Sequence, residues 1–245
     1  MRYWLVMPAA GAGQRFGADT PKQYAVLEGR TVIEWALAPF VDDPRCAQAV
    51  VALAPGDTHW TRIGTRLAAR AGDAGAGRGL PALTVAAGGA HRSLSVRSAL
   101  TALAPRARAE DWVLVHDAAR PCLARADLER LLAGLAAHPL GGLLAARAAD
   151  TLKRGRDTAS GGEVEASVDR AGLWRALTPQ MFRYGPLCAA LDAAHAAGRF
   201  PSDEAQALEW QGGHPALIEA SAGNLKITTA ADLVLAAAVL RAQRA

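Results

Sequence analysis

Cysteine is scarce in this chain. Cys46, Cys122 and Cys188 are the only three among 245 residues, and no C-x-x-C spacing links them. That odd, scattered set argues against a disulfide framework and against a zinc site. The six histidines form no H-x-x-x-H or H-E-x-x-H pair, which argues against a histidine metal centre. No apolar run approaches the ~18 residues of a membrane span. The apolar stretch after Arg2 is too short for the h-region of a signal peptide and passes directly into glycines. No Lys/Arg run or basic helix face stands out, although the pI is about 9.3 and the formal charge +4. Arginine gathered around an anionic pocket accounts for that balance as well as nucleic acid does. The expectation is a cytoplasmic protein with no membrane and no nucleic-acid partner.

Aromatic residues make up only 5%, but apolar residues reach 51% and charged ones 20%, as in ordinary globular proteins. The length suits one large α/β domain with a small appendage. Strand-like runs at Tyr3–Met7, Ala47–Leu53, Leu83–Ala87, Trp112–His116 and Gly142–Ala146 alternate with helical patterns. The helices are expected at Thr31–Phe40, Asp57–Arg70, Ser93–Leu103 and Arg125–Ala137. Thr31 and Glu34 have the spacing of a capping box. The alternation predicts a mostly parallel twisted sheet with helices on both faces. Past Ala149 it fails. Thr151–Asp157 and Glu163–Val168 read as a hairpin or extended arm with little apolar content, which needs another surface to pack on. Arg183–Ala197 and Ser202–Gln211 return to helix. Leu217–Ala220 and Leu225–Thr228 read as short strands, and Thr229 with Asp232 starts a last helix to about Arg241. Ala71–Gly79 is a Gly/Ala loop with no assigned role.

What is present in strength is a glycine turn at the end of the first strand. Pro8-Ala9-Ala10-Gly11-Ala12-Gly13-Gln14-Arg15-Phe16-Gly17 is followed by Pro21-Lys22-Gln23. Glycines let backbone N–H groups approach a ligand, and Arg15 and Lys22 add two positive charges beside them. Such a cradle suits a polyphosphate. The dinucleotide fingerprint is broken by Phe16 at its third position, and Ala54-Pro55 stand where a ribose-binding acid belongs. The Walker A pattern is absent. A turn kept for packing explains the glycines but not the two cations.

This loop resembles that of nucleotidyltransferases with a Rossmann-like fold. In detail it is similar to the first motif of the 2-C-methyl-D-erythritol 4-phosphate cytidylyltransferases. Further segments match in order: Gly88-Gly89 with Arg92 and Ser95, Val115–Pro121, Asp150–Lys153, Val168–Arg170, Leu177–Gln180, Ser202–Ala205 and Asn224–Thr228. They run nearly the whole chain. The resemblance implies transfer of CMP from CTP to 2-C-methyl-D-erythritol 4-phosphate, with release of pyrophosphate, in non-mevalonate isoprenoid synthesis. It implies Mg²⁺, carried mainly by the CTP phosphates, and a homodimer joined through residues 149–170, the whole of 1–245 otherwise being one domain.

On that basis Arg15, Lys22 and Lys226 are the expected catalytic cations. A lone lysine is ordinarily a solvated charge, but Lys226 lies in an apolar run. Pro8, Ala9, Ala10, Gly11, Ala12 and Gly13 would hold CTP, together with Gly88, Gly89, Ser95, Asp117 and Ala118. Ser95 could equally be a helix-cap serine. Asp117, Arg120, Thr151, Arg170 and Thr178 would bind the acceptor, Thr151 and Arg170 reaching it from a neighbouring subunit. Asp117 at a strand end suits sugar hydroxyls or a place near Mg²⁺, and Arg120 also suits an ion pair with it. His116 reads as a hydrogen-bonded core residue. Gly223 stands where the family often has an acid. The rival functions are a cytidylyltransferase for another sugar phosphate, such as ribitol 5-phosphate, and, more distantly, a nicotinamide-dependent dehydrogenase.

Overall fold

The computed structural model describes residues 1–11, 16, 20–73, 82–159 and 161–244, with the backbone alone over 68–73. In chain order the strands are β1 (Tyr3–Pro8), β2 (Val26–Leu27), β3 (Arg30–Thr31), β4 (Cys46–Leu53), β5 (Ala82–Ala87), β6 (Trp112–Val115), β7 (Gly141–Arg147), β8 (Leu152–Thr158), β9 (Gly161–Val168), β10 (Trp174–Arg183) and β11 (Ala216–Glu219). The helices are α1 (Val32–Val41), α2 (Trp60–Asp73), α3 (Arg92–Leu103), α4 (Arg125–Leu135), α5 (Tyr184–Ala196), α6 (Glu204–Glu209) and α7 (Ala231–Arg244).

Seven strands form one sheet in the order β11-β7-β10-β6-β1-β4-β5. All run parallel except β10, which is antiparallel to both neighbours. The expected α/β fold is therefore observed. Side-chain alternation along β1 divides the core: Tyr3, Leu5 and Met7 face one layer and Val6 the other. The first layer is covered by α1, α2 and α4, through Ile33, Ile63 and Leu128 among others. The second is covered by α3, α5 and α6, through Leu100, Leu187 and Leu208. A strand buried on both faces reads as a continuous apolar run, which is why β1, β4 and β6 are plain in the sequence.

Four expectations need correction. β10 was not expected, because Pro179 interrupts its run and proline demotes a strand. The register breaks between Ala176 and Gln180, and the proline is accommodated there. Leu225–Thr228 is no strand: Ile227 N–H meets Ala119 O at 2.8 Å, and no ladder forms around it. α2 starts later than Asp57, whose carboxylate instead accepts from the His59 and Trp60 N–H groups. Its end runs to Asp73, into the expected Gly/Ala loop, whose remainder lies outside the described residues. At α7 the roles reverse, the Asp232 carboxylate accepting from both N–H groups and both hydroxyls of Thr228 and Thr229.

β8 and β9 form the expected hairpin, exposed along nearly all its length. It grows from a neck between β7 and β10. There Arg147 pairs with Trp174, and Ala148 N–H bonds to Leu173 O at 3.0 Å.

Candidate active site

The strand order reverses between β1 and β6, and a crevice beyond the carboxyl ends of strands at such a point is where open α/β sheets bind ligands. A cavity of about 390 Å³ opens there. Pro8, Ala9, Ala10 and Gly11 form one wall; Gly89, Arg92 and Ser95 form another; Asp117, Ala118, Lys22 and Lys226 complete it.

The glycine loop is held from two sides. Ala9 N–H bonds to Ala52 O at 2.8 Å. The Gln23 amide donates to Ala9 O at 2.8 Å and to Gly11 O at 3.3 Å. Gly88 lies behind the pocket, its N–H on Leu53 O at 2.7 Å. A Cβ on Gly88 would stand 2.2 Å from the Ala10 Cβ, so only glycine fits between the two loops. Ser95 Oγ accepts the Gly89 N–H at 3.0 Å, so the serine braces the loop from the first turn of α3. Phe16, which breaks the dinucleotide pattern, packs instead on the apolar cluster of Leu27, Val32 and Ala236.

Asp117 is the carboxylate among the described lining residues. Its Oδ1 accepts Arg92 Nε–H at 2.9 Å, and its Oδ2 lies 2.7 Å from Lys226 Nζ. Burial alone would raise this carboxyl; Arg92 and then Lys226 outweigh it and hold the group far below the usual carboxylate range. It is an anion at every working pH. Its backbone N–H donates to Thr178 Oγ1 at 3.1 Å. The Thr178 hydroxyl lies 2.9 Å from His116 Nδ1, and His116 Nε2 lies 3.1 Å from Arg120 O. A carbonyl only accepts, so His116 carries its proton on Nε2 and accepts a hydrogen bond from the threonine hydroxyl at Nδ1. Burial holds this histidine down at about 4, so it is neutral. It is the core residue expected of it.

Arg120 does not line the cavity. Its guanidinium is pinned to Asn224 O at 2.7 Å and Ala176 O at 3.4 Å, with Asp117 Oδ2 at 3.8 Å. The Asn224 amide donates to Thr178 O at 2.7 Å. These contacts fasten the Lys226 loop to β10 where no ladder does. Thr151 and Arg170 are exposed at the base of the arm and line no part of the cavity; Arg170 donates to the Ala149 carbonyl. Arg15, Ala12 and Gly13 lie outside the described residues. Burial pushes the Cys46 and Cys122 thiols up to about 12, which rules out a ready thiolate at either.

Residues 3–242 match the family described as 2-C-methyl-D-erythritol 4-phosphate cytidylyltransferase (IspD). The chain belongs to the IspD family. It is 53% identical over 245 residues to the enzyme of that name from Halorhodospira halophila, covering 100% of this chain and 96% of that one. It is 51% identical over 249 residues to that of Acidithiobacillus ferrooxidans, covering 99% and 98%. Among solved structures, a 4-diphosphocytidyl-2C-methyl-D-erythritol synthase superposes with TM-score 0.80 at 33% identity, covering 98% of each chain. The IspD of Francisella tularensis gives 0.76 at 32% identity, covering 98% of this chain and 100% of that one. The family assignment does not favour a dehydrogenase or a different acceptor.

Sequence reasoning left out three IspD residues that shape the cavity. Gln23 ties down the glycine loop, and its signal was its place directly after Lys22. Arg92, named in the sequence only as part of the Gly88-Gly89 motif, is an inner wall. Glu204, 1% exposed and bonded to Arg92, was visible only as part of a motif.

Proposed function

We propose that the cavity binds CTP against the glycine loop and transfers its cytidylyl group to 2-C-methyl-D-erythritol 4-phosphate, as the IspD relatives are named to do. A phosphate oxygen of the acceptor attacks the α-phosphorus in line. A new P–O bond forms, the bond to the bridging oxygen of the β-phosphate breaks, and pyrophosphate leaves. The attacking phosphate is already an anion at neutral pH and needs no general base. Both reactants are anionic, so fixed positive charge and positioning carry the catalysis.

The observation that supports this reading most is the convergence of Lys22, Arg92 and Lys226 on one cavity that holds a single described carboxylate. Arg15 and Lys22 stabilise the α-phosphorus and the leaving pyrophosphate, and Lys226 joins them from the far end of the chain. The backbone of Pro8–Gly13, with Gly88, Gly89, Ser95 and Ala118, holds cytosine and ribose. Asp117 binds hydroxyls of the sugars; Arg120 and Thr178 act from behind it, through their contacts with the Asp117 loop. Thr151 and Arg170 belong to an arm, 149–170, that joins two copies and completes the neighbour's site, the rest of 1–245 being one nucleotidyltransferase domain.

No group of three His, Cys, Asp or Glu able to hold a metal exists among the described residues. Asp117 is already engaged by Arg92 and Lys226. The donor set fits Mg²⁺ carried by the triphosphate rather than a protein cage. Bound there, it adds positive charge to the phosphates. No described helix is long and apolar enough to cross a membrane.

Pyrophosphate release, measured with each NTP against methylerythritol phosphate and ribitol 5-phosphate in Mg²⁺, tests the proposal. Turnover confined to CTP and methylerythritol phosphate is expected. Preference for ribitol 5-phosphate would overturn the acceptor, and preference for another NTP would overturn the base pocket.

A further inference from the structure

The Glu204 carboxylate does not line the cavity, yet it is 1% exposed and both its oxygens are used. Arg92 Nη1 meets Oε1 at 2.6 Å, and Nη2 meets Oε2 at 3.1 Å. The same guanidinium turns Nε to Asp117 Oδ1 at 2.9 Å. Asp117 Oδ2 in turn faces Lys226 Nζ at 2.7 Å. Four side chains of alternating charge therefore run from the inside of the second helical layer to the cavity wall.

We infer that Glu204 is a positioning residue for the transfer, acting through Arg92 to orient Asp117 and Lys226. The inference rests on the reading above that those two serve the reaction. The geometry supports it at each link. A planar fork bound along one edge by two hydrogen bonds has no rotation left, so the direction of its Nε–H is set. Asp117 then gives one oxygen to Arg92 and keeps the other for the cavity side.

The segments that carry Glu204 and Asp117 are both fastened to β10. Gln180 Oε1 accepts Ala205 N–H at 2.9 Å, and Gln180 Nε2 donates to Asp203 Oδ2 at 2.9 Å. Thr178, two residues earlier on β10, accepts the Asp117 N–H. The Gln180 and Thr178 side chains thus tie the segments of Glu204 and Asp117 to one strand, and Arg92 bridges the two carboxylates.

Stability alone does not account for a carboxylate at this place. A buried ion pair returns little over apolar packing of the same volume. Burial pushes the Glu204 carboxyl up, against the pull of Arg92, so the charge is held at a cost.

The test is a kinetic cycle on the full-length enzyme with CTP and methylerythritol phosphate, with melting temperature recorded for every variant. Glu204→Gln keeps the shape but removes the charge. It should lower kcat by about 10- to 100-fold, the cost of a small misplacement, and leave the CTP KM within about twofold. In an Asp117→Asn background it should add no further loss, because the path runs through Asp117. Should Glu204→Gln not fold, Arg92→Lys replaces it, since an ammonium cannot hold both carboxylates in one plane; the same loss and the same non-additivity are expected. Wild-type kcat in the folded variant, or a loss that multiplies unchanged onto Asp117→Asn, would overturn the inference. Wild-type kcat in Asp117→Asn alone would instead overturn the reading of the pocket beneath it, a distinct result.

Discussion

The Lys226 ammonium and the Asp117 carboxylate stand 2.7 Å apart, joining the loop after β6 to the loop before α7. The lysine is more than a third exposed while the aspartate is buried, so the cation is the partner free to turn toward an arriving anion. Lys226→Ala should lower kcat by about 10²–10³-fold, as loss of a preorganised charge does, and Lys22→Ala should do the same. Steady-state pyrophosphate release on folded variants checks both, and near-normal turnover would remove the residue from the catalytic set.

The arm assignment predicts a split between substrates. Arg170→Ala should raise the KM for methylerythritol phosphate at least about tenfold, the value of a charge-assisted contact, with the CTP KM little changed. Mixing it with Lys22→Ala subunits should restore some activity, because one site of the mixed dimer would be intact. Equal effects on both substrates, or no recovery on mixing, would count against a shared site.

Gly88→Ala tests the base pocket by crowding. The added methyl would stand 2.2 Å from Ala10 Cβ and 2.9 Å from Leu53 O, so one loop must move. A CTP KM raised by about tenfold or more is expected for a displaced binding loop, with the fold retained. Thermal melting and CTP titration measured together distinguish this from general destabilisation.

His116 predicts the course of stability with pH. Its folded-state value, about 4, lies below the ordinary 6.5, so the unfolded chain takes up a proton that the folded one refuses. Stability from this group is complete above about 6.5, falls as pH drops from there to about 4, and amounts to roughly 3 kcal/mol. In His116→Gln the melting temperature should vary less with pH across that window than in the wild type. Parallel curves would show that another group carries the dependence.

Much of the sheet was legible because β1, β4 and β6 are buried on both faces, and their apolar runs need no partner to be recognised. β10 was not, since its strand character comes from neighbours on each side and its own sequence carries a proline. The same asymmetry holds for the site. The glycine loop announces itself locally, as do Lys22 and the Asp117 turn. Arg92 and Glu204 do not: their partners lie far along the chain, and either residue alone is an ordinary surface charge. Lys226 was placed by motif, but what holds it is a set of contacts to Arg120 and Thr178 rather than a strand. Arg120 and Thr178 read as acceptor ligands in the sequence, whereas here their side chains bond to Asn224, Ala176, His116 and the Asp117 backbone, with the Arg120 Nε–H left without a hydrogen-bond partner.

The neck of the arm has an architectural consequence. Arg147 and Trp174 are paired, the guanidinium lies 4.2 Å over the indole, and Ala148 N–H closes on Leu173 O. The hairpin beyond is an excursion out of a β7–β10 turn that is already sealed. Excising residues 149–172 for a tight turn would leave the hydrogen bonds of the central sheet intact. The sheet that carries the glycine loop thus holds together without the hairpin, whose length can change without unpairing a central strand.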